Sequence, residues 1–188
     1  FDIKKLNYKL IINAIRTSEG LNGTIEANPA YGKYHIDGHR DCGVFFNAKE
    51  TKKLGGICPK CNKPLTIGVE YRIEELSDRK EPVNLPEFKE VIPLHELIAV
   101  VYGVKSLSSK KVQDIYSLLI KNFNNEYNIL LNTAIDELKK VVDGKLAKLI
   151  ILNRENKLKI RPGYDGLYGQ IILDEKQQQE NPKNYVKK

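Results

Sequence analysis

The chain carries two short stretches that combine metal-binding residues with turn-forming ones, Gly38-His39-Arg40-Asp41-Cys42-Gly43 and Cys58-Pro59-Lys60-Cys61. In each stretch, here called a knuckle, two residues separate a pair of metal-binding side chains. Two tight turns can therefore direct four donors at one ion. Three thiolates and one imidazole are a common tetrahedral set for zinc. The sequence therefore predicts one structural zinc ion per chain, with four ligands: His39, Cys42, Cys58 and Cys61.

The fourth ligand has one alternative. His35 also precedes Cys42, but by seven positions, where it would not complete a knuckle, and His39 is favoured. Four protein ligands leave no open coordination position, which a catalytic zinc needs for water or substrate. No phosphate-binding loop, nucleophile elbow or further cysteine is visible. We therefore predict no catalytic residue in this chain, and leave open whether it is part of an enzyme.

Composition narrows the class of protein. No apolar run in the 188 residues approaches the roughly 20 residues of a membrane span, so no membrane association is expected. Three cysteines with metal spacing argue against a disulfide framework and favour a reducing, cytoplasmic location. The sequence contains no methionine, which suggests a fragment of a longer protein.

The net charge suggests a polyanionic partner. The formal charge is +7, and the segment between Gly43 and Leu65 contains five lysines but only one acidic residue. Such clustering favours nucleic-acid binding, and Arg40, Lys60 and Lys63 are the candidate DNA contacts near the knuckles. The alternative is an ordinary solvated basic surface.

A second candidate DNA contact is the glycine-rich stretch 161–169. Aromatic rings between glycines can stack on a nucleobase, as Tyr164 and Tyr168 would, and Asp165 could accept hydrogen bonds from a base edge. Arg161 would add a positive charge. The alternative is a glycine-rich hairpin whose tyrosines cover the core.

The predicted fold class is α+β, with a small zinc-ribbon module followed by a small helical domain that ends in a hairpin. Two short strands near 24–26 and 33–37 are expected to be joined by a turn, and 79–91 reads as a linker or surface loop. The apolar spacing from Ile92 onward is helical. The predicted parts are a leading helix at 1–17, the zinc ribbon with its linker at 18–91, the helical domain with its hairpin at 92–173, and a disordered tail at 174–188.

Several stretches resemble one known family, endonuclease Q, a DNA-repair nuclease of archaea and some bacteria. The resemblance lies in both knuckles and their flanks, in Glu74-Glu75-Leu76-Ser77-Asp78-Arg79, in Ile92-Pro93-Leu94-His95-Glu96-Leu97 and in the glycine-rich stretch 161–169. It covers nearly the whole chain up to about Leu173, and the knuckle segment is its most specific part.

The resemblance implies a larger protein in three parts, of which the zinc module and the helical domain of this chain would be the last two. An N-terminal polymerase-and-histidinol-phosphatase (PHP) domain would hold the metal-dependent active site upstream of this chain, and Phe1–Thr17 would trail from it. The family nicks DNA on the 5′ side of deaminated bases and abasic sites. The chain would then be the DNA-engaging C-terminal part of a repair nuclease, with DNA and its own PHP domain as partners.

The alternative from a different class is a non-catalytic zinc module for protein–protein or interdomain contacts.

Overall fold

The computed structural model describes residues 1, 7–79, 81 and 86–173. The predicted tail at 174–188 and the first part of the predicted leading helix lie outside the described residues. Within these ranges the chain forms eight α-helices and six short strands. In chain order they are α1 (Tyr8–Thr17), β1 (Thr24–Ala27), β2 (Asp37–His39), β3 (Val44–Phe46), α2 (Ala48–Lys53), α3 (Val69–Leu76), β4 (Phe88–Val91), α4 (Leu94–Val101), α5 (Lys110–Phe123), α6 (Glu126–Leu131), α7 (Ile135–Lys139), α8 (Gly144–Arg154), β5 (Ile160–Arg161) and β6 (Gln170–Ile171).

The main core lies among helices α4 to α8. Val112 and Leu119 of α5 are fully buried, as their spacing of seven positions on one helical face predicts. Asn153 of α8 is also buried, and its side chain bonds both the N–H and the C=O of Ile92 at 2.9 and 3.0 Å. These bonds join α8 to the chain just before α4. The other fully buried large side chains of this core are Ile92, Leu94, Leu97, Ile98, Ile129, Leu130, Leu138, Leu146 and Ile150.

A second, smaller core lies in the part of the chain that contains the knuckles, residues 35–76, here called the ribbon. Strands β2 and β3 are antiparallel, with Asp37 opposite Phe46 and His39 opposite Val44. The core itself consists of Val44, Phe46, Cys58 and Leu65. Helix α2 follows β3 directly, and Asn47 and Glu50 form a capping box at its start. This short helix lies between the two knuckles.

Of the two strands expected near 24–26 and 33–37, the first is present as β1, but 33–35 is a turn and β1 does not pair with the second segment. Instead β1 pairs in parallel with β4, which lies within the predicted linker 79–91. A 3-10 turn at Pro29–Tyr31 follows β1, and the Asn28 side chain starts this turn and donates to Glu90 Oε2 at 3.1 Å. Alternation of apolar and polar residues reveals a strand but not its partner, and the true partner is 64 positions away.

The predicted C-terminal hairpin is present, formed by antiparallel β5 and β6. Its loop packs on the ribbon: the C=O of Gly163 accepts hydrogen bonds from the N–H groups of His35 and Ile36 at 3.0 and 3.2 Å. The α+β class is thus confirmed, with a ribbon, a helical region and a terminal hairpin. The boundaries of the predicted parts remain a prediction, and hairpin–ribbon contacts cross the one placed at 91/92. None of the described helices is long and apolar enough to cross a membrane.

Candidate metal centre and the adjoining loop

The four predicted ligands converge in space. The donor atoms of His39, Cys42, Cys58 and Cys61 all lie within 4.8 Å of one another, and His39 Nδ1 is 3.4 Å from Cys61 Sγ. A tetrahedral zinc ion bonded at about 2.3 Å to sulfur and about 2.0 Å to nitrogen would place sulfur and nitrogen about 3.5 Å apart and two sulfurs about 3.8 Å apart. The cluster therefore fits a metal ion. His35 lies outside it, with Nε2 3.8 Å from Glu70 Oε2.

Two tight turns direct these donors. His39 ends β2, and a 3-10 turn at Arg40–Cys42 brings Cys42 back toward it. Gly43 closes this turn at φ 62°, a conformation that favours glycine, and its N–H donates to Arg40 C=O at 2.9 Å. In the second knuckle the N–H of Cys58 donates to Lys63 C=O at 2.8 Å. Asn62, which follows Cys61, has a similar positive φ of 59°. Gly43 and Asn62 thus give the two knuckles their shape.

The thiols differ in acidity. Burial raises the pKa of Cys58, but N–H groups of Cys61 and Lys60 outweigh it and hold this pKa at about 7. Burial and hydrogen bonds with Cys61 and Cys58 raise the pKa of Cys42 to about 11. A metal ion would therefore have to displace a proton from Cys42 on binding at neutral pH. The Lys60 ammonium reinforces the first knuckle from the second, since it donates to Cys42 C=O at 2.8 Å.

Asp165 is bonded to the ribbon. Its Oδ2 accepts the backbone N–H of Arg40 at 2.6 Å and its Oδ1 accepts the hydroxyl of Thr66 at 2.6 Å. Burial raises the pKa of Asp165, but these two donors and the nearby charge of Arg40 bring it below its usual range. Both oxygens already bond protein groups, so this carboxylate braces the ribbon. Each oxygen keeps a second lone pair, and the contact of Asp165 with a base edge stays a prediction.

The two tyrosines of the loop lie in different surroundings. Tyr164 is 8% exposed, with its ring 5.1 Å from that of Phe45. Tyr168 is 62% exposed, and Lys33 Nζ lies 4.7 Å from its ring centroid. Both line a cavity of about 490 Å³ that Arg161 also borders. Tyr164 thus covers the ribbon, as the core-covering alternative predicts, while Tyr168 presents its ring to solvent.

Sequence reasoning missed Lys33 as part of this surface. A Cβ placed on Gly166 would lie 3.6 Å from both Arg40 Nη1 and the Tyr34 hydroxyl, so these groups gather over the loop. Tyr34 is half exposed, and Arg40 and Lys60 are exposed as well. The alternation of polar and aromatic residues at 33–35 indicates an exposed segment. It does not show which of these residues contacts the glycine-rich stretch 161–169, which lies far away in the sequence.

The helical region matches a family model. Residues 93–157 match the model described as MJ0043 C-terminal domain. An uncharacterised protein of Methanocaldococcus jannaschii is 37% identical over 167 residues, which are 88% of this chain and 21% of that protein. The uncharacterised protein YqxK of Bacillus subtilis is 34% identical over 146 residues, which are 77% of this chain and 34% of that protein. The chain thus spans about a third or less of these relatives.

Solved structures agree over a wider range. The lesion-specific endonuclease PfuEndoQ of Pyrococcus furiosus superposes with a TM-score of 0.78 at 32% identity, over 92% of this chain and 44% of that one. The resemblance to endonuclease Q is confirmed. A complex of endonuclease Q with a 27-mer duplex that carries an abasic lesion at the active site matches with the same TM-score and identity. The share covered is consistent with a C-terminal part of endonuclease Q.

Proposed function

We propose that this chain is the zinc-binding, DNA-engaging C-terminal part of a repair nuclease that acts on deaminated bases. Catalysis would lie in a PHP domain of a longer protein, and the protein would work in the cytoplasm. The observation that carries the proposal is the match to endonuclease Q at a TM-score of 0.78 over more than nine-tenths of this chain. One of the matched structures is a complex with lesion-containing duplex.

The metal in this proposal is one structural zinc ion per chain, held by His39, Cys42, Cys58 and Cys61. Their donor spacing supports it, because the 3.4 Å between His39 Nδ1 and Cys61 Sγ matches a tetrahedral zinc edge of about 3.5 Å. When bound, the ion would cross-link the two knuckles. Metal analysis of the purified chain should give one equivalent of zinc, and a chain that folds cooperatively without metal would contradict this part of the proposal.

The proposed DNA surface combines exposed cations with one exposed ring. Lys33, Arg40, Lys60 and Lys63 would contact phosphates, and Tyr168 would stack on a base or sugar. Arg161 would act beside Tyr168 at the cavity they share. The predicted contacts at Tyr164 and Asp165 would be indirect, because one packs inward and the other is bonded to the ribbon.

Salt dependence is the decisive measurement for DNA binding. The chain should bind duplex DNA containing an abasic site or uracil, and log affinity should fall linearly with log salt at about 0.9 per phosphate contacted. If the chain binds no duplex even at low salt, its role as a DNA-engaging part is wrong. Incision of uracil-containing DNA by the longer protein with added divalent metal would test the assignment to a repair nuclease.

Substitution of Tyr168 tests the exposed ring directly. Tyr168→Ala should weaken binding by roughly 5- to 150-fold, because a stacked base contributes about 1–3 kcal/mol. Tyr127→Ala is the matched control, since Tyr127 is 58% exposed but belongs to α6 in the helical region. Equal affinities of the two variants in a fluorescence titration would remove Tyr168 from the proposed surface.

A second candidate function is a structural module for interdomain contacts. It is favoured by α1, where Tyr8 is 78% and Ile15 57% exposed and Ala14 is the one buried residue of the helix. An apolar helix face of this kind is typical of a contact with another domain. This function predicts that the chain stabilises the rest of the longer protein without binding DNA itself. The salt titration therefore separates the two candidates.

A further inference from the structure

The loop Tyr164–Gly169, here called the Tyr164 loop, contains a tight turn and is bonded to the ribbon. Tyr164 and Leu167 exchange both backbone hydrogen bonds at 3.1 and 2.8 Å. The two residues between them, Asp165 and Gly166, have φ of 43° and 84°, as in a type I′ turn. The turn is therefore complete through its backbone alone. The Asp165 side chain is not needed for it and extends to the ribbon instead.

The Asp165 carboxylate bonds groups on both sides of the His39 ligand. Oδ2 accepts the N–H of Arg40, the next residue in the chain, at 2.6 Å. Arg40 begins the 3-10 turn that leads to Cys42, and His39 provides no side-chain cap for this turn. Asp165 thus fills the capping role at the turn that sets the spacing of the first ligand pair.

The other carboxylate oxygen, Oδ1, is linked through Thr66 to Gly38, the residue that precedes His39. Oδ1 accepts the hydroxyl of Thr66 at 2.6 Å, and Thr66 exchanges backbone hydrogen bonds of 3.0 and 2.8 Å with Gly38. Gly38 in turn lies against the Tyr164 ring, since an added Cβ would overlap that ring and approach Val44 C=O to 2.7 Å. Both neighbours of His39 are therefore held by the Tyr164 loop.

We propose that Asp165 is a positioning residue for the metal cluster and that metal binding and the conformation of the Tyr164 loop are coupled through it. The inference rests on the proposed metal site. Because coupling between two sites is reciprocal, metal would order the loop, and DNA contact at Tyr168 would tighten metal binding. Residues that orient metal ligands typically change metal affinity by about 10- to 100-fold when replaced.

Metal affinity of matched variants tests the proposal. Asp165→Gly removes the carboxylate and suits the positive φ, so backbone strain is not introduced. Asp165→Asn also tolerates this φ and can accept from Arg40 N–H while donating to Thr66. Asn124→Gly is the control, because Asn124 is exposed, has φ 76° and lies at the end of α5.

Competition with a chromogenic chelator should show about 10- to 100-fold weaker zinc binding for Asp165→Gly, substantial recovery for Asp165→Asn and no change for Asn124→Gly. The absorption bands of bound cobalt should shift in Asp165→Gly, because the geometry of the ligands changes. Affinity and cobalt spectrum equal to those of the unmodified chain would overturn the inference while leaving the proposed metal site intact. Failure of the unmodified chain to bind zinc or cobalt would overturn both.

Hydrogen exchange on the unmodified chain gives a readout that does not depend on any variant. The N–H groups of Gly166 and Gly169 donate to Lys33 and Tyr31 C=O, each at 3.1 Å. Chelation should speed exchange of these two amides if the cluster and the loop are coupled. Unchanged exchange after complete removal of the metal would overturn the coupling, even if Asp165→Gly proves too unstable to purify.

Discussion

At the scale of single residues, close packing around His39 leaves little freedom for substitution. Gly38 precedes the ligand, and the Tyr164 ring occupies the space where a side chain would begin. The sequence identified Gly38 as a turn glycine of the knuckle. Its contact with Tyr164 depends on residues that are 126 positions apart, so local sequence could not reveal it.

Gly38→Ala should therefore destabilise the ribbon. The methyl group would overlap the Tyr164 ring and lie 2.7 Å from Val44 C=O, and we expect a loss of about 1–3 kcal/mol in the free energy of unfolding. Gly144→Ala is the matched control, because nothing lies within 4 Å of the added Cβ and alanine favours the helix. Equal denaturation midpoints for the two variants would contradict the packing argument.

Asp165 shows a different limit of sequence reasoning. Its position in the glycine-rich loop marked it as a functional candidate, and a free carboxylate beside aromatic rings is a reasonable acceptor for a base. The structure instead provides two donors, from Arg40 and Thr66. Whether a carboxylate faces solvent or braces a neighbour depends on partners that only the fold brings together.

At the scale of helices and strands, the sequence shows where elements such as α2 begin but does not show which strands pair with each other. Asn47 and Glu50 form the capping box at the start of α2, a signal that lies within four residues of the chain. Apolar spacing predicts helical structure from Ile92 onward but misses the bounds of α6, which has only six residues and follows two asparagines typical of a loop. The pairing of β1 with β4 was missed as well, since the parallel partner lies beyond the ribbon.

The start of α8 gives a pH-dependent prediction. Asp143 accepts the N–H groups of Lys145 and Leu146 at 2.9 and 3.1 Å and the hydroxyl of Tyr102. Burial raises the pKa of Asp143, but these donors and the charge of Lys145 bring it below its usual value. The stabilisation is therefore present above the unfolded pKa of about 3.9 and is lost as pH falls through the folded pKa.

Asp143→Ala should accordingly lower the free energy of unfolding by about 1 kcal/mol at neutral pH, with a smaller loss in acid. Asn125→Ala is the control: Asn125 caps α6 by accepting the N–H of Asn128 at 2.9 Å and does not titrate. Its cost should stay the same across the pH range. Parallel pH profiles for the two variants in urea denaturation would contradict a titrating cap at α8.

At the scale of the whole molecule, the hairpin links the ribbon to the helical region. Ile171 of β6 belongs to the main core, while the loop between β5 and β6 is bonded to the ribbon. Chelation should therefore lower the stability of the helical region as well as that of the ribbon. Structural zinc contributes on the order of 10 kcal/mol in small modules, so we expect a large fall in the thermal midpoint.

Calorimetry with and without chelator measures this, and Cys58→Ser should reproduce the chelated state. One cooperative transition that moves as a unit would show that the ribbon and the helical region are interdependent. A later transition that keeps its midpoint after chelation would instead support the predicted division at 91/92 as two independent domains.

The bond between Asp165 and Arg40 also has a consequence for the order of folding. The metal-binding pair His39 and Cys61 is separated by 22 positions, whereas Arg40 and Asp165 are separated by 125. Contacts close in sequence form sooner, because less chain entropy is lost in closing a short loop. On the ribosome, the knuckles can therefore capture their ion well before Asp165 has been synthesised. Metal capture would then be an early event, and the final shape of the first knuckle would wait for Asp165 to arrive.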